Sequence, residues 1–209
     1  MSDRAEASLQ RPRASDRWKL GAIVLGLASL LYAIITLLPF AVNSPQRQER
    51  RLLSQVDQTI AARQYEEARR SLEQRMAEGF GGTEWALRLG ICQSMLENYD
   101  EARRTFDGAL AADPHEPRLL YNRALLDYRQ RNYDQALRRL QALVELAPYF
   151  PGVRYHMGRI CEIHNQPQQA LDWYIQELDV DPASSSTLRR FLYLRRQMHE
   201  AEKTEPSGK

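Results

Sequence analysis

Residues 98–102 read Asn-Tyr-Asp-Glu-Ala, and residues 132–136 read Asn-Tyr-Asp-Gln-Ala, thirty-four positions further along the chain. Each segment places the polar residues of a turn before an alanine. The same step of thirty-four residues recurs in five series of positions. These are Ala68, Ala102, Ala136 and Ala170; Leu72, Phe106, Leu140 and Tyr174; Gly90, Ala124 and Gly158; Tyr65, Tyr99 and Tyr133; and Pro114, Pro148 and Pro182. A fixed period sustained in this way indicates an internal repeat.

Each repeat contains two segments with helical spacing of apolar residues, and a polar turn separates them. The pattern therefore predicts two antiparallel helices per unit. Small residues at the Gly90 and Ala102 positions allow the helix axes to approach closely where they cross. The bulky series at the Phe106 position then fills the space between helices. A proline near each unit boundary suits a helix end or a first helical turn, because proline has no backbone N–H.

These units resemble tetratricopeptide repeats, which are helix-turn-helix units of about thirty-four residues with small residues at the crossing. The resemblance covers residues 49–184 and implies an all-α, TPR-type helical-repeat solenoid. The predicted units are 49–82, 83–116, 117–150 and 151–184. The first unit is divergent, with Val56 at the small position and Gly79-Phe80-Gly81-Gly82 in place of the closing proline. In the fourth unit Glu177 stands where Ala109 and Leu143 stand, so looser outer packing is expected there.

The residues after the fourth unit are expected to close the array. Ser184 to Ser186 can cap a last helix in which apolar residues recur with helical spacing. We predict a C-terminal capping helix over 185–202, which covers the apolar side of the fourth unit. Residues 203–209 are expected to form a disordered tail.

An uncharged apolar stretch lies near the N-terminus, from Leu20 to Val42. Twenty-three residues of helix are about 34 Å long, enough to cross a bilayer. A cleaved signal peptide is the main alternative, but its apolar core is usually shorter and a small-x-small cleavage site is lacking here. A buried core helix is disfavoured because the segment is apolar on all sides. We therefore predict a single transmembrane helix over 20–42.

The charges that flank this stretch predict its orientation. Five basic residues precede it: Arg4, Arg11, Arg13, Arg17 and Lys19. Three closely follow it: Arg47, Arg50 and Arg51. Positive residues favour the cytoplasmic side, so residues 1–19 are expected to form a cytoplasmic polar tail and the array to lie in the periplasm, at a bacterial inner membrane. The unpaired thiols Cys92 and Cys161 favour the opposite orientation weakly, because free cysteines are unusual in an oxidising compartment.

Composition and motifs argue against several classes of function. The net charge of +2 gives no basic footprint for nucleic acid. His156, Cys161 and His164 lie on one short helix and point in different directions, so a metal site is not expected. No phosphate loop or nucleophile motif occurs, which disfavours a catalytic site, a cofactor or a small-molecule substrate. We expect a protein that is not an enzyme.

The resemblance implies a concave groove, lined by the first helix of each unit, that takes peptide segments of other proteins. The thirty-four-residue step places nine candidate residues there: Arg88, Arg118, Tyr121, Asn122, Leu125, Arg129, Tyr155, His156 and Arg159. Such a strip would be mildly basic and aromatic, which favours an acidic or polar-aromatic partner segment. For any one of these side chains, a plain solvated surface is an equally good interpretation.

We therefore expect a membrane-anchored protein–protein interaction scaffold that assists assembly or stabilisation of a membrane-associated complex. The alternative is a permanent structural or accessory subunit, or a homo-oligomer, that holds no mobile peptide. A permanent interface is large and apolar at its centre, whereas transient peptide capture is sensitive to salt.

Overall fold

A computed structural model describes residue 22, residues 25–32 and residues 44–204, except for the side chains of Glu202 and Thr204. Its chain divides into two units, residues 1–54 and residues 55–209. In the first unit, residues 25–32 are helical and their leucines are exposed. The predicted tail 1–19, most of the predicted span 20–42 and residues 205–209 lie outside the described residues. Within the described part, no helix is both long and apolar enough to cross a membrane.

Residues 44–204 contain nine helices and no strand. They are α1 (Pro45–Ala61), α2 (Tyr65–Ala77), α3 (Thr83–Met95), α4 (Tyr99–Ala112), α5 (Pro117–Arg129), α6 (Tyr133–Leu146), α7 (Val153–Ile163), α8 (Pro167–Val180) and α9 (Ser185–Thr204). The prediction of an all-α helical-repeat fold is confirmed. The starts of α2, α4, α6 and α8 follow the thirty-four-residue step. The limits drawn for the four units stay predictions.

The turn inside each helix pair has one backbone geometry, repeated four times. Its left-handed residues are Arg63, Glu97, Arg131 and Asn165, with φ of 61°, 64°, 63° and 57°. The next residue donates its N–H to a carbonyl five positions earlier, as Asn98 does to Gln93 at 2.9 Å and Asn132 to Asp127 at 2.9 Å. This Schellman arrangement usually has glycine at the left-handed position. The sequence shows the turn but gives no glycine to mark its conformation.

Helices of the second unit pack mainly against their neighbours in the chain. The largest contacts join α3 to α4, α5 to α6 and α7 to α8, and smaller ones join each pair to the next. First helices of successive pairs also touch, as α3 and α5 do. A repeat array buries its core in this way, through nearest-neighbour interfaces.

The close crossing that the sequence predicts is present in each of these three pairs. The ring of Phe106 lies against Gly90, and the ring of Tyr174 lies against Gly158. Ala124 and Leu140 occupy the same positions in the middle pair and belong to one buried cluster. The four alanines of the second helices are fully buried, and so are the four bulky residues: Ala68, Ala102, Ala136, Ala170, Leu72, Phe106, Leu140 and Tyr174.

The expectation of looser packing at Glu177 is wrong. Only 1% of this residue is exposed. Its carboxylate accepts the backbone N–H groups of Gly152, Arg154 (3.1 Å) and Tyr155 (3.4 Å) at the start of α7. A carboxylate here satisfies helix N–H groups that have no partner within the helix, and its negative charge interacts favourably with the positive end of the helix dipole. Burial still raises the pKa of Glu177, because desolvation outweighs these hydrogen bonds.

Helix α9 covers the last pair. Leu194 is buried, and Phe191 and Met198 pack on the cluster that contains Ala170 and Tyr174. Arg190 donates to Glu162 of α7, with Nε 2.8 Å from Oε1. The helix ends at Thr204, two residues beyond the predicted limit at 202.

Replacing Gly90 by alanine should destabilise the fold by roughly 1–3 kcal/mol, because overpacking forces its neighbours to move. A Cβ at this position would lie 2.5 Å from the Phe106 ring. The matched control is Gly108→Ala in α4, where a Cβ would meet nothing within 4 Å. This change should stabilise by about 0.5–1 kcal/mol, because alanine costs less entropy in a helix. Chemical denaturation measures both, and equal effects would contradict the close crossing.

Candidate protein-binding surface

The nine candidate residues lie on three first helices. Arg88 is on α3, and Tyr155, His156 and Arg159 are on α7. The remaining five are on α5: Arg118, Tyr121, Asn122, Leu125 and Arg129. The structure separates them into an ion-pair network, an aromatic cluster and a shallow depression.

The ion-pair network holds the two arginines nearest the start of these helices. Arg88 donates through Nε to Asp57 and through Nη1 to Glu84, both at 2.7 Å. Arg118 pairs with Glu84, and its Nε lies 2.8 Å from Glu116 Oε1. Hydrogen bonds from Arg118 and then Arg88 lower the pKa of Glu84. Three carboxylates thus face two guanidinium groups, and the expectation of a basic strip is wrong at this end.

The aromatic cluster consists of Tyr121, Tyr128, Phe150, Tyr155 and His156, with His156 at its centre. The imidazole ring lies 5.7 Å from Tyr121, 5.6 Å from Tyr128 and 5.1 Å from Tyr155, each edge to face. Tyr121 also meets Phe150 at 5.4 Å. Edge-to-face geometry is the favourable arrangement for aromatic rings. Tyr121, Tyr155 and His156 therefore pack on one another between α5 and α7, and all three are partly buried.

Hydrogen bonds fix the centre of this cluster. His156 Nδ1 lies 2.9 Å from the Gly152 carbonyl and 3.0 Å from the Tyr121 hydroxyl. Burial lowers the pKa of His156 and raises the pKa of Tyr121, because desolvation disfavours both charged forms. Gly152 has φ of 84°, and a Cβ there would lie 2.6 Å from the Tyr121 hydroxyl. The tight approach thus requires glycine at this position.

Arg159 lies at the edge of the aromatic cluster. Its Nε is 3.8 Å from Glu162 Oε1, a distance too long for a hydrogen bond. Glu162 is already engaged by Arg190 and by the Tyr174 hydroxyl. The buried Nε of Arg159 makes no hydrogen bond within the described residues. Arg159 thus forms a long ion pair with Glu162 and no hydrogen bond through Nε in the described residues.

The depression, named here the Leu125 depression, lies where α3 and α5 meet. It is lined by Ile91, Ser94, Met95, Phe106, Asn122, Leu125 and Arg129. Leu125 and Ile91 are half-buried, and Arg129 is exposed. Asn122 donates to the Arg118 carbonyl at 2.8 Å. In the part of the chain that the structure describes, Arg129 has no ion pair. Sequence reasoning missed Met95, although it stands thirty-four residues before Arg129.

Comparison with protein families decides the classification. Two family models, both described as tetratricopeptide repeat, match residues 59–126 and residues 121–185. The chain belongs to the tetratricopeptide repeat family. The resemblance inferred from residues 98–102 and 132–136 is confirmed, and residues 59–185 together match the tetratricopeptide repeat. Comparison with curated protein sequences finds no match.

Solved tetratricopeptide structures resemble the chain in fold. MamA 41-end from Desulfovibrio magneticus RS-1 superposes with a TM-score of 0.57 and 19% identity, covering 74% of this chain and 87% of that one. YrrB, described as a TPR protein with an unusual peptide-binding site, gives a TM-score of 0.54 and 16% identity, covering 81% of this chain and 87% of that one. The first TPR domain of human RPAP3 gives a TM-score of 0.51 and 19% identity, covering 57% of this chain and 94% of that one. At these identities the likeness concerns the fold alone.

The aromatic cluster predicts a pH dependence of stability. His156 is held neutral because burial lowers its pKa below the ordinary value of 6.5, at which it protonates in the unfolded chain. Its contribution to stability is therefore complete above pH 6.5 and decreases as pH falls through 6.5 towards the lowered pKa. Chemical denaturation between about pH 7.5 and pH 5 should show a larger decrease in the free energy of unfolding for the wild type than for His156→Gln.

The matched control is His115→Gln, at an exposed position in the turn before α5. This variant should keep the wild-type decrease in the free energy of unfolding. Parallel profiles for the wild type and His156→Gln would contradict the assignment to the buried imidazole.

Proposed function

We propose that this protein is a membrane-anchored tetratricopeptide scaffold that binds a segment of a partner protein in the Leu125 depression. The observation that carries the proposal is a shallow depression of about 20 Å³ whose half-buried apolar side chains lie beside the Arg129 guanidinium, which forms no ion pair in the described residues. In this proposal the protein assists the assembly or stabilisation of a membrane-associated complex, and it catalyses no reaction. That a protein of the same fold, YrrB, is described by its peptide-binding site supports this proposal.

The chemistry of the depression defines the segment that it would take. Ile91, Met95 and Leu125 offer half-buried apolar surface, so covering it with an apolar side chain removes that surface from water. Arg129 stands at the same place without an ion pair to any residue that the structure describes, and an arginine fork matches a carboxylate. The expected ligand is therefore a short segment with an apolar residue close to an aspartate, glutamate or chain-terminal carboxylate.

The anchor in this proposal is the uncharged stretch 20–42. The exposed side chains of Leu25, Leu27, Leu30 and Leu31 support it, because a row of exposed leucines is costly in water and favourable in lipid. The excess of basic residues before the stretch supports a periplasmic array at a bacterial inner membrane. Confinement to the membrane raises the effective concentration of the array towards other membrane proteins, so modest affinity suffices.

Charge reversal at Arg129 should release the partner. Co-purification in mild detergent from native membranes, quantified by mass spectrometry, compares the wild type with Arg129→Glu. We expect recovery of the partner to fall by roughly tenfold, because like charges then face each other. The control is Arg138→Glu on α6, another exposed arginine without an ion pair in the described residues, which should retain the partner.

An unchanged set of partners with Arg129→Glu would contradict binding in the Leu125 depression. The salt dependence of binding then distinguishes a transient peptide complex from a permanent subunit. Binding that weakens between about 0.1 M and 0.5 M salt is expected of a charged peptide contact. Partners that stay bound at high salt in both variants would instead identify a permanent subunit.

Cysteine labelling tests the orientation. Gly81→Cys adds a thiol at an exposed position where a Cβ meets nothing within 4 Å. The native thiols are both buried, and burial raises the pKa of Cys92 to about 11, so they should react slowly. A maleimide that cannot cross membranes should label Gly81→Cys in intact spheroplasts and should label Ser8→Cys only after lysis. The reverse pattern would show that the array is cytoplasmic.

A further inference from the structure

Helix α9 has two faces, and among the residues that the structure describes only one of them is covered by other helices. From Ser185 to His199 the sequence contains four arginines and no aspartate or glutamate. Arg190, Leu194 and Met198 face the preceding helices. On the other side, Leu188 and Leu192 are 44% and 52% exposed. Tyr193, which is 50% exposed, lies between the two faces, with the Arg190 guanidinium 5.0 Å from its ring centroid. This second face therefore combines large apolar side chains with positive charge.

A groove of about 530 Å³ runs between the start of α8 and the second half of α9. Leu171, Leu192 and Met198 supply its apolar surface. Among the described residues the groove is also lined by Gln168, Arg195, Arg196 and His199, and none of the described lining residues is acidic. Neither Arg195 nor Arg196 forms an ion pair among the residues that the structure describes. We name this feature the α9 groove.

In a complete repeat the second helix of the pair would cover this face. The thirty-four-residue step shows why that packing does not occur here. Leu192 occupies the position of Gly158, where the second helix of a pair approaches the first most closely. A leucine there blocks the close crossing that Gly158 permits with Tyr174. The polar segment 1–19 is also an unsuitable ligand for the α9 groove. Its five basic residues exceed its three acidic ones, so its net charge has the same sign as the groove.

We propose that the α9 groove docks an acidic amphipathic helix of a partner protein. Apolar side chains at i, i+3 and i+4 of that helix fill the space beside Leu171, Leu192 and Met198. Glutamates or aspartates on its flanks pair with Arg195 and Arg196. A bilayer surface fits less well, since a flat surface does not enter a groove between two helices. The site is separate from the Leu125 depression and does not depend on it.

The probe is a fluorescein-labelled synthetic helix of about sixteen residues, long enough to be partly helical in water, with leucines on one face and glutamates elsewhere. Fluorescence anisotropy measures its binding to the full chain in an uncharged detergent. A scrambled peptide of the same composition lacks the apolar face. We expect the amphipathic peptide to bind roughly tenfold more tightly than the scrambled one.

Two variants locate the binding. Arg195→Glu combined with Arg196→Glu should weaken binding of the amphipathic peptide by roughly tenfold or more. The matched control combines Arg104→Glu with Arg138→Glu, at two exposed arginines on α4 and α6, and should leave binding unchanged. Leu192→Ser tests the apolar contact without changing the charge and should also weaken binding. Circular dichroism and thermal unfolding confirm that every variant keeps its helices.

Several results would overturn the proposal. Equal losses in both double variants would show non-specific attraction by charge, and no loss in either would place the peptide elsewhere. Protection of α9 from hydrogen exchange in nanodiscs containing phosphatidylserine, without peptide binding, would identify a lipid surface as the occupant. Self-association that Arg195→Glu and Arg196→Glu abolish, again without peptide binding, would identify a second copy of the chain.

Discussion

The close crossing of paired helices is the constraint on which the rest of the array depends. Gly90 and Gly158 bring a backbone within contact of the Phe106 and Tyr174 rings, and Ala124 does the same with Leu140. At this spacing one bulky residue per pair fills the interface and remains fully buried. The hydroxyl of Tyr174 in turn reaches Glu162, which also binds Arg190 of α9. Packing at the crossing thus leads directly to the attachment of the last helix.

Several arginines of this array are held in ion pairs, whereas three of those that form no ion pair in the described residues stand at the two proposed binding sites. Arg88 and Arg118 share the carboxylates of Asp57, Glu84 and Glu116. Arg123 is buried between Asp107 and Asp127. Such pairs hold neighbouring helices in register but present little net charge to a partner. Arg129, Arg195 and Arg196 have no such partner in the described residues, and each stands beside exposed or half-buried apolar side chains.

Sequence periodicity predicted the fold well, because the features that repeat are steric and local. A glycine at position 90 and a phenylalanine at 106 imply their contact once the period is known. The left-handed turn at Glu97 left no such sign, because a glutamate replaces the glycine that usually marks it. Glu177 was misjudged because its role depends on N–H groups more than twenty residues away. Of the nine candidate residues, Arg88 and Arg118 form ion pairs with acidic residues, which periodicity alone did not predict. The mutual packing of Tyr121, Tyr155 and His156 depends on side-chain directions, which periodicity does not give either.

The order of contacts along the chain has a consequence for how the protein is made. Because helices of the second unit touch mainly their sequence neighbours, the array can fold progressively as successive pairs leave the ribosome and stack on one another. Two parts must wait for later residues. The start of α7 lacks its cap until Glu177 emerges, and Glu162 lacks its guanidinium partner until Arg190 follows. The fourth pair is therefore completed only when α9 has been synthesised.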